Sequence, residues 1–183
     1  MFFRCYMSTP NVIPWSKEYR LTWHDFMAEP NPAEFEDASS FIKFRFTWTV
    51  TSESFGNEIK FAIKNIVLSP EFHRPLSWVR TPMATEHLLN HQQGHFDLAE
   101  LMRVEITKSV SSVFENKWYP TRGQNEEQRK QFAREDSSVM IAKEMELWEK
   151  RLSEKQEEYD KQTDYGQILE KQSEYDATFA QLR

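Results

Sequence analysis

Three patterns in the sequence predict an α+β fold. Apolar and polar side chains alternate over residues 42–50, apolar positions recur at helical spacing over 88–102, and a narrow apolar stripe runs through a strongly charged stretch from about 125 to 163. The expected molecule is one domain over 1–183, with a small antiparallel sheet, a helix packed against it, and a long helical part over 125–183.

Residues 1–20 are expected to form a loose N-terminal segment, because prolines and turn formers dominate up to about residue 40. A short strand around "YRLTW" is the exception. In "FIKFRFTWTV", Ile42, Phe44, Phe46, Trp48 and Val50 alternate with Lys43, Arg45, Thr47 and Thr49, the period of a strand with one buried face. The turn "SESFGN" leads into "EIKFAIKNIVL", where Ile59, Phe61 and Ile63 alternate before the phase slips near Asn65. An antiparallel partner strand with a bulge accounts for the slip. "SPEFHRPLSWVRTP" reads as a loop broken by Pro70, Pro75 and Pro82, with His73 placed to line a cleft. A helix follows, from Met83–Thr85 to about Ser109. After the break at "WYPTRGQ", Ile141, Met145, Trp148, Leu152 and Tyr159 mark a long helix that rests by one narrow face on the domain or on a coiled-coil partner. Gly166 ends it, and "ILEKQSEYDATFAQL" folds back as a short last helix.

Composition bounds the function. Fourteen Phe and six Trp within a 39% apolar content suffice for a buried core. A net charge of −6 without a run of Lys or Arg argues against nucleic acid or an anionic membrane as partner, and no 18-residue apolar run is available for membrane insertion. The lone Cys5 excludes a disulfide framework and a cysteine-rich zinc site, so a metal must be held by His and carboxylates. The opening stretch contains no apolar region of signal-peptide length.

The chemistry concentrates in "HLLNHQQGHFDLAE", residues 87–100. His91 and His95 stand four apart, so on a helix their imidazoles share a face and can reach one zinc ion at about 2.0–2.1 Å. The pattern is that of H-E-x-x-H with Gln92 at the position of the glutamate. His87 lies about 12 Å along the axis from His95, and Glu100 projects from the opposite side, so neither completes the site. A third ligand must come from elsewhere. Gly94 costs about 1 kcal/mol relative to Ala inside a helix, which points to a close approach by a site group or to tight helix packing. Asp160, Asp164 and Glu144 are potential oxygen ligands, although most charges on so polar a helix are solvated. His24 and Asp25 either support the site or belong to a packed corner with Trp23 and Phe26.

Three separated stretches, "LTWHDFMAEPNP", "SWVR…HLLNHQQGHFDLAEL" and "EKQEEYDKQTDYGQILEKQSEYD", resemble in order and spacing a bacterial domain-of-unknown-function family regarded as secreted, zincin-like zinc-dependent proteases. The resemblance implies a zincin-like fold, a peptide or protein ligand, and a secreted or periplasmic location. It implies that His91 and His95 are zinc ligands and that Gly94, Phe96 and Asp97 belong to the motif. Two departures fall on the chemistry. Gln92 replaces the general-base Glu, and Tyr165 stands where the family motif has a His, the position implied for a third ligand. A glutamine amide does not titrate, so it cannot pass a proton from the attacking water to the leaving amine. The implied function is a metallopeptidase-like domain with impaired catalysis; the alternative is an interaction or scaffolding protein that uses the same fold without metal.

Overall fold

A computed structural model describes residues 10–183. Cys5 and the first nine residues of the expected loose segment lie outside the described residues. Six strands and three α-helices follow in order: β1 (Val12–Pro14), β2 (Ala38–Ser39), β3 (Ile42–Phe55), β4 (Glu58–His73), β5 (Trp78–Val79), α1 (Glu86–Phe114), β6 (Tyr119–Pro120), α2 (Glu126–Thr163) and α3 (Leu169–Phe179). The main sheet is antiparallel and centred on β4. β3 runs along one edge of β4, while β1 and β6 pair with opposite ends of the other. β2 and β5 form a separate two-stranded ribbon.

The expected hairpin forms, with both strands longer than alternation alone indicated. Ile59, Phe61 and Ile63 give way to Ile66, Leu68, Pro70 and Phe72 on the same inner face. The change of phase is made where the register moves from Thr47↔Val67 to Thr49↔Lys64, with Asn65 at φ 53° in the extra position. A short polar side chain tolerates that left-handed backbone, and the bulge keeps apolar residues inward along all of β4.

Three expectations are corrected. Residues 69–73, read as loop, continue β4, because Pro70 offers its carbonyl to the Trp15 N–H at 2.9 Å and thus needs no donor of its own there. Residues 12–14 are not loose but pair with Glu71–His73. "YRLTW" forms no strand; a single 3-10 turn occupies Trp23–Asp25, where the Asp25 carboxylate accepts from the Thr22 N–H and hydroxyl.

α1 lies between the sheet and the C-terminal helices, and all of its residues from His91 to Glu100 are buried. Thr85 caps its start by accepting from the Leu88 N–H. α2 packs by the predicted stripe: Ile141, Met145, Trp148 and Leu152 join Phe61, Ile63, Leu68, Ile106 and Val110 in the main core. The long helix therefore rests by this stripe on its own domain. Asp164 and Tyr165 adopt left-handed backbone at its end, Gly166 follows at φ 85°, and α3 turns back against α1. None of the described helices is long and apolar enough to cross a membrane.

Candidate metal centre

The two predicted histidines meet a carboxylate that arrives on α2. His91 and His95 project from one face of α1, with ring centroids 4.9 Å apart. Each offers Nε2 to the same oxygen, Oδ1 of Asp160, at 3.0 Å. His91, His95 and Asp160 form a group of potential ligands whose donor atoms all lie within 4.8 Å of one another. Atoms bound at about 2.0–2.2 Å to a tetrahedral ion stand about 3.3–3.5 Å apart, so the two contacts at 3.0 Å must lengthen by a few tenths of an ångström to admit a metal. Two imidazoles and one carboxylate fit a zinc-type ion, and with three protein ligands one coordination position stays open.

Neighbouring groups orient the donors. Tyr159 stacks on His91 with centroids 4.6 Å apart and planes 15° from parallel. Gln172 on α3 gives its Nε2 to Asp176 Oδ1 at 2.9 Å and to the Tyr159 hydroxyl at 2.7 Å, which turns its Oε1 toward His91 Nδ1 at 3.1 Å. His91 thus donates from Nδ1, and a neutral ring then presents the lone pair of Nε2 to Asp160. Burial pushes the His91 pKa down, against the opposing pull of Asp160, and so favours that neutral ring. Burial pushes the Asp160 carboxyl up, but hydrogen bonds and charge from the two imidazoles when they carry a proton at Nε2 outweigh it and hold the carboxyl well below the usual carboxylate range. A lone pair facing a carboxylate oxygen attracts a cation into the space between them, either a proton or a metal.

Backbone chemistry fixes the approach of α2. Gly94 lies under Tyr159, whose hydroxyl fills the space a Cβ would occupy. The two readings of this glycine converge, since the packing partner also holds a ligand in place. Gly166 satisfies a second constraint besides its positive φ: a Cβ there would stand 2.9 Å from Cβ of His91. His87, excluded as a ligand by its distance along the helix, donates instead to the Gly166 carbonyl and ties the loop to α1.

His95 and Asp160 open onto a cavity of about 160 Å³ with Gln92, Ser40, Glu36, Gln156 and Tyr165 among its walls. A neighbouring cavity of about 290 Å³ shares Glu36, Gln92 and Tyr165 and adds Phe35, Met83 and Leu88. Two larger clefts, of about 520 and 570 Å³, lie at the far end of the hairpin and beside the end of α1, and neither contains a histidine. Ligand chemistry, and not size, selects the smaller cavity. Gln92 is buried, and its Oε1 accepts from the Ser40 hydroxyl at 2.7 Å.

The remaining candidates fall into place around this centre. Asp160, five residues before Tyr165, is the group that meets both histidines; Tyr165 lines the cavity wall with its ring edge-on to Phe35 at 5.3 Å. Asp164 is exposed at the C-cap of α2, outside the group formed by His91, His95 and Asp160. Asp97 is buried away from the metal group, where it accepts from Trp15, Gln93 and Arg183. His24 is exposed, and the buried Asp25 pairs with Arg74 at 3.1 Å, so this corner is structural. Glu100 pairs with Arg103, His73 ends β4 beside Phe41, and Glu144 lies far up α2. Sequence reasoning passed over Gln172 and gave Asp160 no priority. The available signal for Asp160 was its position directly after Tyr159, on the flank of the apolar stripe and not opposite it.

No family model, curated protein or solved structure matches the chain.

Proposed function

We propose that this chain is a zinc-binding, metallopeptidase-like domain whose catalysis is impaired at Gln92. The observation that carries the reading is the convergence of His91, His95 and Asp160, of which His95 and Asp160 open onto a polar-walled cavity. Zinc in such a site supplies a Lewis acid and brings the pKa of a water near 7. Gln92 hydrogen-bonds without titrating, so it orients groups in the cavity while leaving proton transfer undone. The resemblance to secreted zincin-like proteases supports the choice of a peptide or protein as ligand.

A metal-free interaction protein is the second reading. It is favoured by the approach of both imidazoles to one oxygen of Asp160, a contact that a proton closes without an ion. Metal analysis separates the two. The purified chain, stripped and titrated calorimetrically with zinc, is expected to bind one equivalent, and Asp160→Asn and His95→Ala should each weaken binding by at least tenfold. Absence of stoichiometric binding in the unaltered chain would rule out the zinc reading.

A further inference from the structure

The cavity holds a carboxylate that the histidine motif does not announce. Glu36 lines the metal cavity together with His95, Asp160 and Gln92, and it also lines the adjoining apolar cavity, so it sits at their junction. Its backbone is pinned. Arg80 Nε donates to the Glu36 carbonyl at 2.9 Å, the Arg80 N–H donates to the Asp37 carbonyl at 2.8 Å, and Ala38 pairs with Val79. Its side chain is left free: among the described residues the Glu36 carboxylate has no hydrogen-bond or ion-pair partner. The other carboxylates of this cavity are differently engaged. Asp160 belongs to the group of potential metal ligands, and Glu157 is exposed and paired with Lys161 at 3.5 Å.

Resting on the zinc reading above, we propose that Glu36 performs, at reduced efficiency, the proton transfer that Gln92 cannot. As the water oxygen bonds to the peptide carbonyl carbon, Glu36 takes one water proton. The carboxyl then gives that proton to the amide nitrogen as the C–N bond breaks, leaving a carboxylic acid and an amine, with Glu36 ionised again. Burial raises the Glu36 pKa, the Asp160 and Glu34 charges add to the rise, and His95 opposes it. A carboxylate so shifted is a stronger base, in keeping with the geometric assignment.

The test is a cycle of four full-length proteins, unaltered, Glu36→Gln, Gln92→Glu and the double variant, each loaded with zinc. Zinc content and melting temperature are measured beside hydrolysis of a degenerate peptide library read by mass spectrometry. All four are expected to hold one zinc, and each Glu36→Gln protein is expected to melt like its Glu36 counterpart, since the glutamine is isosteric with Glu36 and a side chain without partners leaves no contact to break. Glu36→Gln should lower the slow hydrolysis of the unaltered chain by about 10²–10⁴. Gln92→Glu should raise hydrolysis, and adding Glu36→Gln to it should cost less than tenfold, because the restored motif base no longer needs Glu36. Glu36→Asp, which keeps a carboxylate, should fall between the unaltered chain and Glu36→Gln. Equal hydrolysis by the unaltered chain and Glu36→Gln, both holding zinc and at any rate including none, overturns the assignment of Glu36. No zinc in any of the four overturns the metal reading beneath it.

Discussion

Gln172 determines which nitrogen His91 offers. Its amide is held from one side by Asp176 and Tyr159, so its oxygen faces His91 Nδ1 and leaves Nε2 for the centre. Partners of this kind are worth about 10–100-fold in metal affinity. Gln172→Leu is therefore expected to weaken zinc binding by that factor in calorimetry, whereas Gln172→Glu, which still accepts from Nδ1, should retain most of it. Equal affinity for the leucine variant would refute the orienting role. Of this constellation the sequence exposed the local part. His91 and His95 are legible because four-residue spacing is a property of one helix, but Gln172 and Asp160 reach them only through tertiary packing, which no spacing records. Tyr165 was expected from a motif resemblance and lines the cavity, while the helix phase turns Asp160 inward onto both histidines.

At the level of elements, the close approach of α1 to α2 depends on Gly94. Ala in its place gains about 1 kcal/mol of helix propensity. The methyl would however collide with the Tyr159 hydroxyl and ring, and overpacking of that kind costs about 1–3 kcal/mol. The collision wins, so Gly94→Ala should lower the thermal midpoint and weaken zinc binding together, because the residue displaced neighbours Asp160. Gly94→Ala with Tyr159→Phe should recover only part of the loss, since the ring carbon remains too close. A variant as stable as the unaltered chain would show that α2 moves aside freely. Elements with a strong period were the legible ones: the hairpin, its bulge, α1 and α2 all follow from alternation or stripe. β1 and the second half of β4 escaped because three-residue pairing carries no period and Pro70 resembles a loop signal.

For the molecule as a whole, the centre makes stability depend on pH. In the metal-free chain the folded His91 pKa lies below its unfolded value of about 6.5, so between those values the unfolded chain binds more protons. Stability is full above about pH 6.5 and falls as pH drops through that window. The folded Asp160 pKa is also depressed, so a second loss begins near the unfolded carboxylate value of about 3.9 and continues downward. Urea midpoints measured from pH 8 to 3 should fall in these two stages, and His91→Gln should remove the upper one. Zinc at a hundred times its dissociation constant should add about 2.7 kcal/mol at neutral pH. A midpoint flat from pH 7 to 5 would contradict the burial of a neutral His91.

On the zinc reading, the division of the ligands between α1 and α2 also sets the order in which a newly made chain acquires its ion. His91 emerges 69 residues before Asp160, an interval of about 3–14 s at ~5–20 residues per second. Throughout that time only two imidazoles are on offer, a weak and readily exchanged pair of ligands. The carboxylate comes last and docks only when α2 closes over Gly94, so firm retention of the ion marks a chain whose C-terminal helices have already found their place.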